Sequence, residues 1–147
     1  MQKFPPLSLY VHIPWCVQKC PYCDFNSHAQ KGAIPEQEYV QHLIADLEAD
    51  LEKYQASIQN RPLHSIFIGG GTPSLFSAES IKLLLAEIQR RIPFSENIEI
   101  TMEANPGTVE AERFKGYVDA GVTRISMGIQ SFNDDKLQRL GLSLIHI

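Results

Sequence analysis

The chain has 147 residues, of which 44% are hydrophobic and 20% charged, and this ordinary globular composition is enough for one domain with a real core. The formal net charge of −4 argues against a nucleic-acid surface, because phosphate binding needs clustered lysine and arginine. No secretory signal and no apolar run long enough to cross a membrane is recognised, which predicts a cytoplasmic protein whose thiols stay reduced.

The first predicted element is an apolar, β-rich strand over Leu7–Ile13, which Pro14 ends and which we expect to be buried. It runs directly into a loop that holds every cysteine of the chain. His12 lies within the strand pattern, and we interpret it as a packed core histidine rather than a ligand.

A long amphipathic helix is predicted from Pro35, because apolar residues recur at helical spacing as far as Ile58. The residues at this spacing are Val40, Leu43, Ile44, Leu47, Leu51, Tyr54 and Ile58. Asn60 and Pro62 follow and end the helix. His42 lies inside it and is interpreted as a surface histidine.

Three further units of strand and helix follow. The predicted strands are Ser65–Gly69, Ile98–Met102 and Val122–Ile129. The predicted helices run from an N-cap at Ser77 to Arg91 with Ile81, Leu84, Leu85 and Ile88 on one face, from an N-cap at Thr108 to the C′ residue Gly121, and onward from Asn133. Strands that alternate with helices predict an α/β fold of parallel (β/α) repeats. A doubly wound nucleotide-binding sheet is the alternative, but no strand is followed by G-x-G-x-x-G.

Four candidate features fall at the C-terminal ends of the predicted strands, where the chemistry of parallel barrels gathers. The cysteines follow the first strand, Gly69–Thr72 follows the second, Glu103 closes the third and Gln130 follows the fourth. A glycine triplet alone is more often a tight turn, and a lone carboxylate can equally pair with a lysine. Their shared edge therefore favours one site over unrelated features.

The three cysteines, Cys16, Cys20 and Cys23, have the spacing C-x3-C-x2-C. Thiolates select zinc, copper(I) or iron–sulfur centres over hard cations. Structural zinc needs a closed set of four ligands, whereas three cysteines on a [4Fe–4S] cluster leave one iron open. The trio therefore favours a cluster, and zinc with His12 or His28 as a fourth ligand remains the alternative.

These motifs together resemble the radical S-adenosylmethionine (SAM) superfamily. The cysteine loop with its aromatic Tyr22 is similar to the superfamily signature, and Gly69–Pro73 is similar to its second motif. The stretches that more closely resemble the HemW family of haem chaperones, relatives of oxygen-independent coproporphyrinogen III oxidase, are Tyr10–Cys16, Cys23–Asn26, Glu103–Pro106 and Gly128–Phe132. The resemblance covers Leu7 to Gly141, and it implies that residues 1–141 form the N-terminal part of a partial TIM-type radical SAM barrel.

The resemblance also implies cofactors. Cys16, Cys20 and Cys23 would hold a [4Fe–4S] cluster whose open iron is chelated by the amino and carboxylate groups of SAM. The residues implied to bind SAM are Tyr10, Tyr22, Gly70, Gly71, Thr72, Glu103 and Gln130. Among them, Glu103 would bind the ammonium group, the glycine turn the methionine end, Gln130 the region of the ribose and the backbone at Tyr22 the adenine.

One position separates two members of this family. The oxidase pattern has a further cysteine two residues after the third, where this chain has Phe25. The resemblance therefore favours a chaperone that binds haem and delivers it to an acceptor protein, with a radical enzyme acting on a porphyrin precursor second and a small zinc-binding module third. No catalytic residue is named, and whether the protein is an enzyme stays open. The expected partners are SAM, haem or a porphyrin, a haem acceptor and a reductant protein.

The last residues depart from the family pattern. Members continue Leu-Gly-Arg-Ile-His-Asp, with the arginine thought to pair with the SAM carboxylate, whereas this chain has Leu142-Ser-Leu-Ile-His-Ile147. Because members are much longer, we expect an N-terminal fragment with residues 142–147 as a divergent tail. A natural short paralogue is the alternative. With an open sheet edge, the fragment is expected to fold poorly alone, to carry a labile cluster and to bind SAM weakly.

Overall fold

The computed structural model describes residues 4–105 and 111–142. In chain order the elements are β1 (Leu7–Ile13), β2 (Trp15–Cys16), β3 (His28–Ala29), α1 (Glu36–Lys53), α2 (Gln55–Ile58), β4 (Leu63–Gly70), a 3-10 turn (Pro73–Leu75), α3 (Ala78–Arg91), β5 (Phe94–Ala104), α4 (Ala111–Ala120), β6 (Arg124–Met127) and α5 (Asp134–Arg139). Helices and strands alternate along most of the chain. No helix in the described ranges is long and apolar enough to span a membrane.

Four strands form one parallel sheet in the order β1-β4-β5-β6. Strands that follow one another along the main chain are therefore neighbours in space, each pair being joined by a helical connection, as parallel strands require. In register, Tyr10 pairs with Phe67, Phe67 with Thr101, and Thr101 with Arg124. The predicted α/β class with a parallel sheet is confirmed.

One face of this sheet is covered by helices. The buried side chains of the core include Val11, Ile13, Ile66, Ile68, Ile100 and Met102 from the strands and Val40, Ile44, Ile81, Leu84, Ile88 and Tyr117 from the helices. The opposite face is open, and Tyr10 and Phe67 stack on it with 6.3 Å between their ring centroids. Tyr10 and Phe67 lie three residues before the carboxyl ends of their strands, so this open face adjoins that edge of the sheet.

β1 has the predicted bounds, but it is not buried along its length. Of its residues only Val11 and Ile13 are buried, while Ser8 and Tyr10 are exposed. The reason is the two-residue period of a strand: odd-numbered residues face the helices and even-numbered residues face the open side. His12 is on that open side and only half buried, so the prediction of a packed core histidine is wrong.

The predicted long helix is divided in two. α1 begins at Glu36 with Pro35 at the N-cap position, and it ends at Lys53, where Tyr54 serves as the C-cap before the four-residue α2. Tyr54 is exposed because the helix stops at this residue, so its assignment to the continuing apolar stripe is wrong. His42 is exposed, as predicted, and its Nε2 atom lies 3.8 Å from Glu38.

The cap of α3 is as predicted. Ser77 Oγ accepts a hydrogen bond from the Ser80 amide at 3.2 Å, and it donates to Glu36 Oε2 at 2.6 Å. The four residues predicted for its inner face are all buried: Ile81, Leu84, Leu85 and Ile88. The first turns of α1 and α3 are therefore joined by one carboxylate.

The C-terminal end of α4 explains why β6 is shorter than predicted. Gly121 has the positive φ of 112° expected for a C′ residue, and the Val122 amide donates to the Tyr117 carbonyl at 2.9 Å. Val122 therefore belongs to the helix end, and the strand begins only at Arg124. The predicted N-cap at Thr108 lies outside the described residues. α5 begins after Asn133, whose side chain accepts from the Lys136 amide as an N-cap.

Candidate metal and cofactor site

A cavity of about 210 Å³ lies at the carboxyl end of the sheet. The predicted site residues that line it are Cys16, Cys20, Tyr22, Cys23, Gly70, Gly71, Thr72, Glu103 and Gln130. They come from four separate stretches of the chain, at or just after the carboxyl ends of β1, β4, β5 and β6. Tyr10 is the predicted site residue that lies outside this lining, on the open face of β1.

Seven residues that were not predicted to bind a cofactor line the same cavity, although the sequence had marked Phe25 and Leu142 as departures from family patterns. These are Gln18, Phe25, Ala104, Asn105, Ser126, Gly128 and Leu142. Ser126 had a readable signal, because it is a polar residue inside a predicted apolar strand, and in register it pairs with Glu103. The two side chains therefore lie next to each other on the wall of the cavity.

The cysteine loop is closed at its base by the short parallel pair β2 and β3. The His28 amide donates to the Pro14 carbonyl at 2.8 Å, and the Gln30 amide donates to the Cys16 carbonyl at 2.7 Å. Within the loop, the Cys23 amide donates to the Cys20 carbonyl at 3.0 Å. These bonds fold a loop of irregular sequence into a turn that carries all three thiols toward one cavity.

The donor set suits a soft metal centre by residue type. Each of the three cysteines is a half-exposed free thiol on the same cavity. Among the residues that the structure describes, no three His, Cys, Asp or Glu side chains form a group that could hold a metal ion. A [4Fe–4S] cluster binds each cysteine through a different iron, so its thiolates stand further apart than the ligands of one ion. The residues fit the cluster in kind and in placement around one cavity.

A tyrosine and a serine surround the thiols. Burial raises the pKa of the Tyr22 hydroxyl, and its hydrogen bond with the Cys20 side chain and the charges of Cys20 and Cys23 raise it further. Tyr22 therefore keeps its proton and can donate a hydrogen bond to a thiolate. Ser27 is buried, and its Oγ atom lies 3.8 Å from Cys23 Sγ. Hydrogen bonds to cluster sulfurs of this kind tune a metal centre.

The glycine turn packs tightly against the start of the cysteine loop. The Gly71 amide donates to the Ile13 carbonyl and the Thr72 amide to the Trp15 carbonyl, both at 2.7 Å. A Cβ atom at Gly71 would lie 2.5 Å from the Trp15 carbonyl oxygen, so only glycine fits there. Because the Gly70 amide also donates, at 3.1 Å to Glu103 Oε2, these three amides are engaged within the protein.

With these amides engaged, the turn does not offer them as donors to a ligand. Together with the Glu103 carboxylate, that arrangement favours a cationic group. The charge of Glu103 reaches the open face as well: partial desolvation of the Tyr10 hydroxyl raises the pKa of this exposed residue, and Glu103 raises it further. The Tyr10 hydroxyl lies 2.8 Å from His12 Nδ1, and His12 Nε2 lies 2.7 Å from the Asn26 carbonyl oxygen. Both ring nitrogens of His12 are engaged, which removes it as a ready fourth ligand for zinc.

Comparison with known proteins assigns the family. A sequence profile of the radical SAM superfamily matches residues 10–143. The chain belongs to the radical SAM superfamily. Members of this superfamily use SAM and a [4Fe–4S] cluster in general, and the three cysteines of the C-x3-C-x2-C motif line the cavity of this radical SAM chain.

The relatives of this radical SAM chain include proteins called heme chaperone HemW. That of Haemophilus influenzae is 78% identical over 141 residues, which are 96% of this chain and 37% of that protein. That of Escherichia coli is 61% identical over 141 residues, 96% of this chain and 36% of that protein. The chain thus spans about a third of the length of these relatives.

A solved structure has the same fold. The coproporphyrinogen III oxidase HemN of Escherichia coli, described as a radical SAM enzyme, superposes with a TM-score of 0.77 at 27% identity. The match covers 95% of this chain and 31% of the HemN chain. The expected fold class, parallel (β/α) repeats of the N-terminal part of a TIM-type radical SAM barrel, is confirmed.

Proposed function

We propose that this chain is the cofactor-binding part of a HemW-type haem chaperone. Cys16, Cys20 and Cys23 would hold a [4Fe–4S] cluster, and SAM would occupy the cavity beside it. The observation that carries the proposal is that the cysteines share one cavity with the glycine turn and Glu103. Residues 1–141 would then form the N-terminal part of the radical SAM core. When reduced, such a cluster supplies an electron that can cleave the sulfonium bond of SAM.

Different residues around the cavity would contact different parts of SAM. Glu103 would pair with the ammonium group, since a carboxylate and backbone carbonyl oxygens accept hydrogen bonds from a cation. Gly70, Gly71 and Thr72 would form the wall against the methionine end. Close packing of this turn on the Ile13 and Trp15 carbonyls supports that role, because it keeps the wall rigid before a ligand binds.

The other end of SAM would lie toward Tyr22 and Gln130. Both line the cavity, one from the cysteine loop and one after β6, which supports contacts with the adenine and the ribose. A direct contact of Tyr10 has less support, because Tyr10 lies outside the lining and its hydroxyl is bonded to His12.

Haem is the proposed cargo of the whole protein. The relatives called heme chaperone HemW are 78% and 61% identical to this chain, and the oxidase HemN is 27% identical. Phe25 also supports a chaperone rather than an oxidase, since it occupies the position of the additional oxidase cysteine and lines the cavity. A haem acceptor and a reductant protein are the partners that this function requires.

Anaerobic reconstitution with iron and sulfide tests the cluster. We expect about four iron and four sulfide ions per chain, and a change in the electron paramagnetic resonance spectrum of the reduced cluster when SAM is added. Cys16→Ala, Cys20→Ala and Cys23→Ala are each expected to lose most of the iron, while the exposed His28→Ala is expected to retain it. One zinc ion with neither iron nor sulfide in the wild-type chain would refute the proposal.

The second candidate function is oxidation of a porphyrin precursor, which the structural match with HemN favours. Incubation of coproporphyrinogen III with the reconstituted protein, SAM and a reductant under anaerobic conditions distinguishes the two. A chaperone is expected to bind haem in a titration and to form no product. Repeated turnover to oxidised product would displace the chaperone in favour of the enzyme.

A further inference from the structure

The side chain of His12 connects three parts of the site. Its Nε2 atom lies 2.7 Å from the carbonyl oxygen of Asn26, in the segment that follows Cys23. Its Nδ1 atom lies 2.8 Å from the Tyr10 hydroxyl. A Cβ atom at Gly70 would lie 2.6 Å from the imidazole ring, so the ring packs directly against the glycine turn. One side chain on β1 therefore contacts both the cysteine loop and the turn.

These hydrogen bonds select one tautomer of the neutral imidazole. A carbonyl oxygen can only accept, so Nε2 must carry a proton to bond Asn26. In the neutral ring Nδ1 is then an acceptor, which suits donation from the Tyr10 hydroxyl. The ring is held from both sides, and its orientation is fixed by its partners on β1 and in the loop.

The bond to Asn26 holds the far side of the loop, whereas the bonds of the His28 and Gln30 amides to the Pro14 and Cys16 carbonyls close its base. The Cys23 amide bonds to the Cys20 carbonyl, and Lys19 Nζ donates to the Phe25 carbonyl at 3.2 Å, so these bonds only shape the loop internally. The bond from His12 crosses from the sheet to the loop. It therefore sets where the far side of the loop lies relative to the sheet.

We infer that His12 is a positioning residue that holds the cysteine loop at a fixed distance from the glycine turn. It acts through Asn26 on one side and Gly70 on the other, without touching the thiols. The inference rests on the proposed function, since its consequence is that the cysteines are held ready for the cluster. Preorganisation of this kind lowers the cost of ordering a loop when a ligand binds.

Two substitutions test whether the bond from residue 12 to Asn26 matters, because both keep a polar side chain and only one of them keeps that bond. In His12→Gln the amide nitrogen reaches the position of Nε2 and can still donate to Asn26. In His12→Asn the shorter side chain reaches only the position of Nδ1, so the bond to Asn26 is lost. His42→Asn on the outer face of α1 is the matched control, because His42 is exposed.

The first measurement is amide hydrogen exchange in the metal-free chain. His12→Asn is expected to exchange roughly fivefold faster at Cys20–Ser27, as the loss of one hydrogen bond implies, with α3 unchanged. His12→Gln and His42→Asn are expected to match the wild type. Equal exchange in His12→Asn and His12→Gln overturns the inference, and so does faster exchange that extends through α3.

The second measurement is the rate at which a chelator removes iron from the reconstituted chain. We expect roughly fivefold faster release from His12→Asn than from His12→Gln, because the loop opens more often. Equal release from the two variants overturns the inference. If the wild-type chain takes up no iron at all, the proposed function fails, and hydrogen exchange in the metal-free chain still decides the role of His12.

Discussion

The carboxylate of Glu103 accepts a hydrogen bond from the amide of Gly70, with 3.1 Å between Oε2 and N. A Cβ atom at Gly69 would lie 2.8 Å from the same oxygen, so the end of β4 and this carboxylate are in close contact. A carboxylate has about four lone-pair positions, and one amide leaves capacity for a ligand. Glu103 can therefore hold the turn and bind a cation at the same time.

The substitution Glu103→Gln separates these two roles. The glutamine oxygen still accepts from the Gly70 amide, whereas the negative charge that we propose to bind the SAM ammonium group is lost. A hydrogen bond to a charged group contributes about 1.5–3 kcal/mol, so the dissociation constant for SAM is expected to rise roughly ten- to hundredfold. Anaerobic titration calorimetry on the reconstituted chain measures it.

Glu99→Gln is the control for this substitution. Glu99 lies on the same strand and pairs with Arg124 at 3.1 Å, and it does not line the cavity. We expect its dissociation constant for SAM to match that of the wild type. An unchanged constant for Glu103→Gln would limit Glu103 to the structural role of holding Gly70.

Ser27 is expected to tune the cluster potential. Its buried hydroxyl lies 3.8 Å from Cys23 Sγ, and donation to that sulfur stabilises the reduced, more negative cluster. Ser27→Ala removes the donor, so the reduction potential is expected to fall by roughly 20–60 mV, the equivalent of one hydrogen bond. An anaerobic redox titration followed by electron paramagnetic resonance measures this shift. The control is Ser65→Ala, whose hydroxyl bonds to Ser8 away from the loop, and equal potentials for all three proteins would contradict the role of Ser27.

Position 70 requires glycine both for its backbone conformation and for its close contact with His12, and Gly121 serves as a control that shares only the first requirement. Its φ is 115°, and a Cβ atom would lie 2.6 Å from the His12 ring. Gly121 has nearly the same φ, 112°, but a Cβ atom there would lie at an ordinary 3.6 Å from Leu85. In both alanine variants the free energy of unfolding is expected to fall by about 1–3 kcal/mol, because the backbone conformation is strained for a residue with a Cβ atom. Gly70→Ala is expected to lose more, because the ring must also move.

Urea unfolding compares the two variants, and amide exchange at Cys20–Ser27 reports on the loop. Only Gly70→Ala is expected to speed exchange there, since only that residue packs on His12. Identical unfolding free energies and identical exchange would mean that the backbone conformation alone explains the glycine.

Periodicity predicted the helix-covered side of the sheet well, because it reports local geometry. The face of α3 with Ile81, Leu84 and Ile88 is buried as the spacing requires. The same reasoning was available for β1, where the alternation of Leu-Ser-Leu-Tyr-Val-His-Ile assigns His12 to the open side. Treating this strand as uniformly apolar lost that information.

The residue types of the site were predictable from motifs, but their mutual contacts were not. β2 and β3 have two residues each, too few for any period, and they pair only because the loop folds back beside the residues where it begins. The engagement of the Gly71 and Thr72 amides with β1 and β2 depends in the same way on contacts through space. Such contacts leave no trace in local spacing.

Tyr117 connects α4 to the segment after the glycine turn, and its ionisation is expected to weaken the fold in alkali. Its buried hydroxyl lies 2.8 Å from the Ser74 carbonyl oxygen and 2.7 Å from that of Phe76. Burial raises the pKa of Tyr117, the charge of Arg113 lowers it in part, and Glu36 raises it. The folded chain therefore keeps this proton above about pH 10, where an unfolded tyrosine loses it.

Because the unfolded chain then binds fewer protons, the contribution of Tyr117 is fully present below about pH 10 and declines as the pH rises toward the folded pKa. Tyr117→Phe is expected to lower the unfolding free energy by about 0.5–1.5 kcal/mol at neutral pH and to reduce its decline above pH 10. Urea unfolding between neutral pH and about pH 10.5 measures both, with the exposed Tyr54→Phe as control. Other tyrosines with raised pKa values add to the alkaline decline in both proteins, so the difference between wild type and variant isolates Tyr117. Parallel pH profiles above pH 10 would contradict the assignment.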